Sequence, residues 1–395
     1  MKKTLLAPLG VLAVAAVALT GCTDNTKVAS VSGPGTITVK EADNGDCTLS
    51  TATAPAGQLT FSITNSGSKT NEFEVLAADG LRILGELENI GAGTTRELTV
   101  RVDTPGDYLV ACVPGQVGVG TRQNFTLTEP TTKETVSADR AQLQKDAVTQ
   151  YVAYVKGQVQ QLLPATQEFA KAFEAGDVAK AKALYPSARA FYERVEPMAE
   201  SFGNLDPQLD FRKADLAAGQ DFTGWHRAEE DLWPAKGYKA LDAAGRTKVA
   251  DFLTGKTQEL YDTVRGEKFS GQVTVESIGQ GAIGLMDEVA SGKITGEEEI
   301  YSHTDLWDFA ANVDGARVAF QTLEPLLKDS GDAELATTLT DRFAAVQTLL
   351  DEQKSGDGYR LYTELSKEQV KAFSDAVNAL AEPLSTLTKA AAKTK

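Results

Sequence analysis

The chain has 395 residues, 42% of them hydrophobic, which is enough for about two cored domains and too apolar for a disordered tail. Its 55 Asp+Glu against 39 Lys+Arg leave a net charge of −16, which argues against nucleic acid and anionic lipid as partners and favours cations. Only two histidines and three cysteines are present, so no site can be built on many imidazoles or thiolates.

In chain order, Lys2 and Lys3 precede the apolar run "LLAPLGVLAVAAVAL", which closes on "LTGC" at 19–22. A charged start, an apolar middle and small residues at the cut predict an export signal over 1–21, with Cys22 becoming the lipidated first residue. The protein is therefore expected outside the cytoplasm, anchored by lipid at the outer face of the cytoplasmic membrane. Residues 22–33 are small and polar and read as a tether.

Residues 34–128 alternate as short strands: "TITVKEA", "GQLTFSITNSG", "NEFEVLA", "TRELTVRV", "GDYLVACV" and "RQNFTLT". Turn signals such as Ala78-Asp79-Gly80, Gly91-Ala92-Gly93 and Pro105-Gly106-Asp107 separate them. Six or seven strands in this span predict an all-β sandwich. Cys47 and Cys112 both fall here. In an exported protein such a pair forms a disulfide or serves as ligands in a copper or iron site, and both readings stay open.

A Thr- and Pro-containing stretch over 129–140 reads as a linker, with Ser137 placed to cap a helix. From 141 to 395 apolar residues recur at three- and four-residue spacing, which predicts an all-α bundle. Pro164 marks a kink in its first long helix, and later helices are expected over 245–265, 272–290, 297–328, 333–354 and 366–392.

Within the bundle, "GWHRAEEDLW" places His226 three residues before Glu229, on one helical face, so an imidazole and a carboxylate can aim at one point. Two ligands do not make a site. Arg189, Glu193 and Glu196 share a face nearby, Asp206 and Asp210 follow, and Asp287, Glu288, the run Glu297–Glu299 and Asp308 come later. His303 reads as a structural hydrogen-bonding residue, and Trp225, Trp233 and Trp307 as core. The chain lacks the HExxH helix of zinc proteases, a G-x-S-x-G elbow, a P-loop and a basic stripe for nucleic acid.

Three blocks carry a resemblance: "YPSARAFYERVEPMAE", "GWHRAEEDLW" and "DEVASGKITGEEEIYSHTDLWDFAANVDGA". Together they resemble the imelysin-like family and, within it, the iron-uptake lipoproteins of the EfeO type, over residues 137–393. The resemblance implies a bundle of two four-helix halves and a metal site at the GxHxxE motif, here Gly224, His226 and Glu229. It also implies carboxylates from other helices, best matched by Glu193, Asp206 and Glu288, with Glu196 and Asp308 as runners-up that Arg189 could instead neutralise. One imidazole among several carboxylates suits hard cations such as iron, Fe³⁺ or Fe²⁺, while the histidine also admits zinc or copper.

The β region resembles a cupredoxin. It has no histidine, and its exported part has no methionine, which speaks against a blue-copper centre. The EfeO-type resemblance implies a second metal site on carboxylates of this domain, here Glu72, Glu86 and Glu88, with Cys47 and Cys112 as further candidates. The expected function is extracytoplasmic iron capture with hand-over to a membrane iron permease, beside a haem peroxidase of the same system, with no turnover. The rivals are an imelysin-type metallopeptidase and a polysaccharide-binding surface lipoprotein.

Overall fold

The computed structural model describes residues 35–80, 82–130, 136–216 and 219–393. The expected export signal, the lipid attachment at Cys22 and the tether lie outside the described residues. Among the described residues no helix is long and apolar enough to cross a membrane.

The N-terminal part is a two-sheet sandwich. Its strands are β1 Thr36–Glu41, β2 Cys47–Leu49, β3 Thr53–Pro55, β4 Gly57–Asn65, β5 Asn71–Leu76, β6 Ile83–Ile90, β7 Thr95–Val102, β8 Gly106–Pro114 and β9 Thr121–Thr128. One sheet runs β2-β1-β4-β7, the other β3-β9-β8-β5-β6. The pairs β1/β4 and β3/β9 are parallel and the rest antiparallel, the mixed pairing of a Greek-key sandwich. β2 and β3 are three residues each, too short to leave an alternating pattern, and β6, interrupted by Gly85 and half-buried along most of its length, is the third strand absent from the six segments read from the sequence. Inward alternation brings Phe61, Phe73 and Phe125 into one aromatic core, with Phe61 centred 5.2 Å from Phe73 and 5.7 Å from Phe125. Cys47 on β2 is joined to Cys112 on β8, Cα–Cα 5.7 Å, so a disulfide ties one sheet to the other. Both sulfurs are spent in that bond, which removes Cys47 and Cys112 from the ligand set of the expected second metal site.

The helical part comprises α1 Ala138–Glu174, α2 Val178–Glu193, α3 Leu205–Asp210, α4 Gly224–Leu232, α5 Ala243–Arg265, α6 Glu267–Ser270, α7 Val275–Ser291, α8 Asp305–Asp329, α9 Ala333–Asp351, α10 Lys367–Leu384 and α11 Leu387–Ala391. Ser137 caps α1 by accepting the Arg140 N–H, and α1 continues through Pro164 without interruption. Helices α1, α2, α4 and α5 pack as one ring of four and α7 to α10 as another, joined through α8 lying against α1 and α2. The fourth member of the first ring, α4, is a nine-residue piece, and irregular chain surrounds it. The helix expected from 297 starts only at Asp305, because 296–304 is a loop that folds back over the site.

The two parts are docked. β6 and β7 lie against α7. Arg96 on β7 pairs with Asp287 on α7 at 2.6 Å, and Lys389 pairs with Glu97 at 2.6 Å. Gln280 donates its side-chain amide to the Glu86 carbonyl at 2.8 Å.

Candidate metal centre

Helix α4 begins at Gly224 with φ +76°, a backbone conformation that side chains resist. A Cβ at this position would overlap the main-chain carbonyl of Leu209 at the end of α3. The glycine of the motif thus lets α4 press onto α3. Trp225 then locks the helix from below, fully buried, with ring centroids 5.1 Å from Phe169 and 5.8 Å from Tyr185. Trp233 completes this cluster at 5.5 Å from Tyr185.

His226, buried by these contacts, faces carboxylates with both nitrogens. Its Nδ1 lies 3.2 Å from Glu229 Oε2 and 3.8 Å from Glu299. Its Nε2 lies 3.6 Å from Asp210 and 3.5 Å from Glu298, and makes no hydrogen bond. Among the described residues, Asp210–His226–Glu298 and His226–Glu229–Glu299 are the two groups whose ligand atoms lie within 4.8 Å of one another.

The two sides of the ring differ. Glu229 is held rigidly: its Oε1 accepts the backbone N–H of Tyr301 at 2.9 Å and of Ser302 at 2.7 Å. Glu299 accepts from Tyr185 at 3.0 Å and from the Ser302 hydroxyl at 2.8 Å. Both belong to a closed hydrogen-bond network. The Nε2 side opens the other way. Asp210 and Glu298 line a cleft of about 520 Å³ between the helical part and the sandwich. From the sandwich, Glu86 and Glu88 line it, and from the helical part Glu196, Glu200, Asp206 and Glu288.

Cations are built into this acidic region. Arg189, fully buried on α2, pairs with Glu193, Asp210, Glu298 at 3.3 Å, Glu299 at 2.9 Å and Asp308 at 3.5 Å. Lys293, in the 3₁₀ turn Lys293–Thr295, pairs with Glu196 at 2.7 Å, Glu193 at 3.4 Å, Glu288 at 3.8 Å and Glu298 at 3.9 Å.

Burial and the Arg189 charge oppose protonation of His226. The contacts with Glu229 and Glu298 and the Asp210 charge outweigh them, and the imidazole is pushed up to about 9. Burial also works against ionised Glu298, yet Lys293 and His226 hold it well below the usual carboxylate range. Along the cleft, loss of water is the main cause of upward shifts: Glu88 to about 7, with the Glu288 and Asp287 charges adding, Glu288 to about 7 against Lys293, and Asp206 to about 6. Dehydration pushes Glu86 well above its ordinary value, and the Glu200 and Glu88 charges add to it.

Of the sequence-derived candidates, the structure brings His226 and Glu229 together. It does not bring Glu193, Glu288 or Asp206 to the ring. Glu193 is ion-paired to Arg189 and Lys293 and accepts from Asn312 at 3.0 Å. Asp206 accepts the Tyr192 hydroxyl, and Glu288 sits at the cleft with Lys293 as its nearest cation. The runner-up Glu196 is likewise bound by Lys293, and Asp308 lies beside Arg189. The positions that replace them are Asp210, Glu298 and Glu299. Asp210 ends α3, and the other two come from the loop that precedes α8, where no helical spacing points to the imidazole.

Of the sandwich candidates, Glu86 and Glu88 face the cleft. Glu72 is buried on β5, and its carboxyl is pushed up to about 9 by burial and the Glu88 and Glu74 charges. For His303, with φ +60°, the bonded groups are main-chain: its N–H donates to Glu299 and its carbonyl accepts from Tyr362. Trp307 is half-buried and packs edge-on at 5.6 Å from Tyr359.

Comparison with known proteins agrees with this two-part layout. A family model described as imelysin matches residues 147–387, and one described as a cupredoxin-like domain matches residues 11–117. The chain is 37% identical over 351 residues to the "Iron uptake system component EfeO" of Yersinia pseudotuberculosis serotype I, covering 86% of this chain and 87% of that one. It is 37% identical over 349 residues to the protein of the same name from Escherichia coli O1:K1 / APEC, covering 86% and 88%. An "Efem/EfeO family lipoprotein" of Staphylococcus haemolyticus is 42% identical over 253 residues, 62% of this chain and 84% of that one. The chain belongs to the imelysin family, in the EfeO group that carries a cupredoxin-like domain ahead of the helices.

Proposed function

We propose that this protein is an exported, lipid-anchored carrier that captures iron at His226 and passes it to a membrane iron permease of the same uptake system, with a haem peroxidase as a further partner. The observation that carries the reading is the unbonded Nε2 of His226, aimed at Asp210 and Glu298 on the wall of an acidic cleft. Glu229 accepts the hydrogen bond from Nδ1–H, so Nε2 is the nitrogen that gives up its proton to an ion, the arrangement common to metal-binding histidines. In this reading Glu229 orients the ligand, while Asp210, Glu298 and Nε2 hold the iron.

One nitrogen with carboxylate oxygens is a hard, oxygen-rich set, suited to iron more than to thiolate-seeking metals. The cleft acids, Glu86 and Glu88 from the sandwich and Glu288 and Asp206 from the helices, supply the field that concentrates cations at the entrance. The names of the relatives, which denote iron uptake and a lipoprotein, support the same role and the extracytoplasmic placement. The role is capture and release without turnover.

The test is anaerobic calorimetry of the full chain with Fe²⁺, beside His226→Ala and Asp210→Asn/Glu298→Gln variants, with Zn²⁺ and Cu²⁺ as competitors. One high-affinity ion is expected in the wild type and none in either variant. Retained stoichiometry in His226→Ala, or zinc-dependent cleavage of a peptide by the wild type, would refute the reading.

A further inference from the structure

Arg189 is unusually placed for a neighbour of a cation site. Of the four carboxylates around the His226 ring, it pairs with three, Asp210, Glu298 and Glu299. The sharing is atom by atom: Asp210 Oδ1 is the oxygen that faces both Arg189 and His226 Nε2, and so is Glu298 Oε1. An ion bound by Nε2 and those oxygens must therefore share them with a guanidinium. A second position for that guanidinium is present. Asp308 on α8 is 1% exposed, and neither of its oxygens has a hydrogen-bond partner. The Arg189 Nε–H, 2.9 Å from Glu299 Oε1 but misaligned for a hydrogen bond with it, also stands 3.5 Å from Asp308 Oδ1. Burial pushes the Asp308 carboxyl well above its ordinary range and the Arg189 charge opposes that, so a guanidinium drawn closer favours its ionised form.

We propose that Arg189 is a resident counter-cation with two seats, yielding the shared oxygens of Asp210 and Glu298 to an arriving metal ion and turning onto Asp308. This rests on the carrier reading above and adds to it how the ion is let go. The repulsion from Arg189 falls as the guanidinium moves to an acceptor already in place, while Lys293, 3.9 Å from the same Glu298 oxygen, stays. The same guanidinium competes for the ligands afterwards, so binding stays reversible. Guanidinium is well suited to such an exchange. It is permanently charged and offers several donors in one plane, so it can change partners by a small rotation.

The experiment measures Fe²⁺ affinity by anaerobic calorimetry and release to excess ferrozine by stopped flow, on the full chain, with thermal melts as the folding control. His226→Ala is run alongside. Asp308→Asn removes the charge of the second seat at nearly constant volume, and is expected to weaken binding about tenfold or more and to speed release. Arg189→Gln removes the competitor and is expected to tighten binding about tenfold and to slow release. A folded Asp308→Asn variant within twofold of wild type overturns the proposal, as does a folded Arg189→Gln variant that binds more weakly. Should Arg189→Gln fail to fold, Asp308→Asn alone decides. Wild-type binding that survives His226→Ala, or no wild-type binding at all, overturns the carrier reading and this inference with it. Wild-type binding that needs His226 but ignores Asp308 overturns this inference alone.

Discussion

Acidification should empty the site, with a slope that His226 dictates. Held up to about 9, the imidazole is protonated at neutral pH, so an ion must displace a proton from Nε2. With that value the free imidazole is on the order of one part in 100 at pH 7, a penalty of roughly 2.7 kcal/mol, and one part in 1,000 at pH 6. Apparent affinity for Fe²⁺ should therefore rise about tenfold per pH unit between 6 and 8. The cleft acids near 6 and 7 steepen the slope further, since they lose protons across the same range. Anaerobic competition titrations at pH 6, 7 and 8 with a chelator of known proton dependence give the slope, and calorimetry in buffers of different ionisation enthalpy gives the protons released. Glu229→Gln is the diagnostic variant. Without that carboxylate the imidazole loses its strongest support for protonation, so the slope should flatten towards neutral pH. An affinity independent of pH in the wild type, with no proton released, would refute the reasoning.

The folded apoprotein should lose stability as pH rises from 6 to 9. His226 and the carboxyls of Glu72, Glu88 and Glu288 are all raised, so their contribution is complete below their unfolded values and is lost as pH climbs through 7 and 9. Melts across that range should show a falling Tm, and saturating Fe²⁺ should restore it. Reducing the Cys47–Cys112 bond, whose partners are 65 residues apart, should cost the sandwich about 4 kcal/mol by the chain-entropy relation and leave iron affinity within a few-fold. Denaturant unfolding with and without a reductant measures the first, and calorimetry the second. Glu193→Gln should change iron affinity less than Glu298→Gln does, by at least tenfold, because Glu193 serves Arg189 and Lys293 while Glu298 faces Nε2. Parallel titrations of the two variants decide it.

Much of the architecture can be read from residues alone. Alternation in "GQLTFSITN" and "TRELTVRV" marks β4 and β7, and three- and four-residue spacing marks the long helices. His226 and Glu229 are legible for the same reason, since helical periodicity converts spacing into direction. The remaining ligand candidates are not. Glu298 and Glu299 lie on an irregular loop, where spacing says nothing about direction. Asp210 reaches the ring only because α3 and α4 touch at Gly224, a contact between two short pieces. Glu193 and Glu288, which the sequence favours in their place, are indeed carboxylates near the site. Buried Arg189 and Lys293 capture them, and which of several acids a buried cation takes is decided by packing.

The start of α4 carries a genetic consequence. What a side chain at 224 would strike is the peptide oxygen of Leu209, an atom that no codon change at 209 deletes. Trimming a bulky neighbour, the usual route by which a second mutation rescues a crowded core, is closed here. Suppressors of a Gly224 lesion by side-chain trimming at 208 or 209 should not arise, which leaves back-mutation and changes that shift α3 as the routes to recovery.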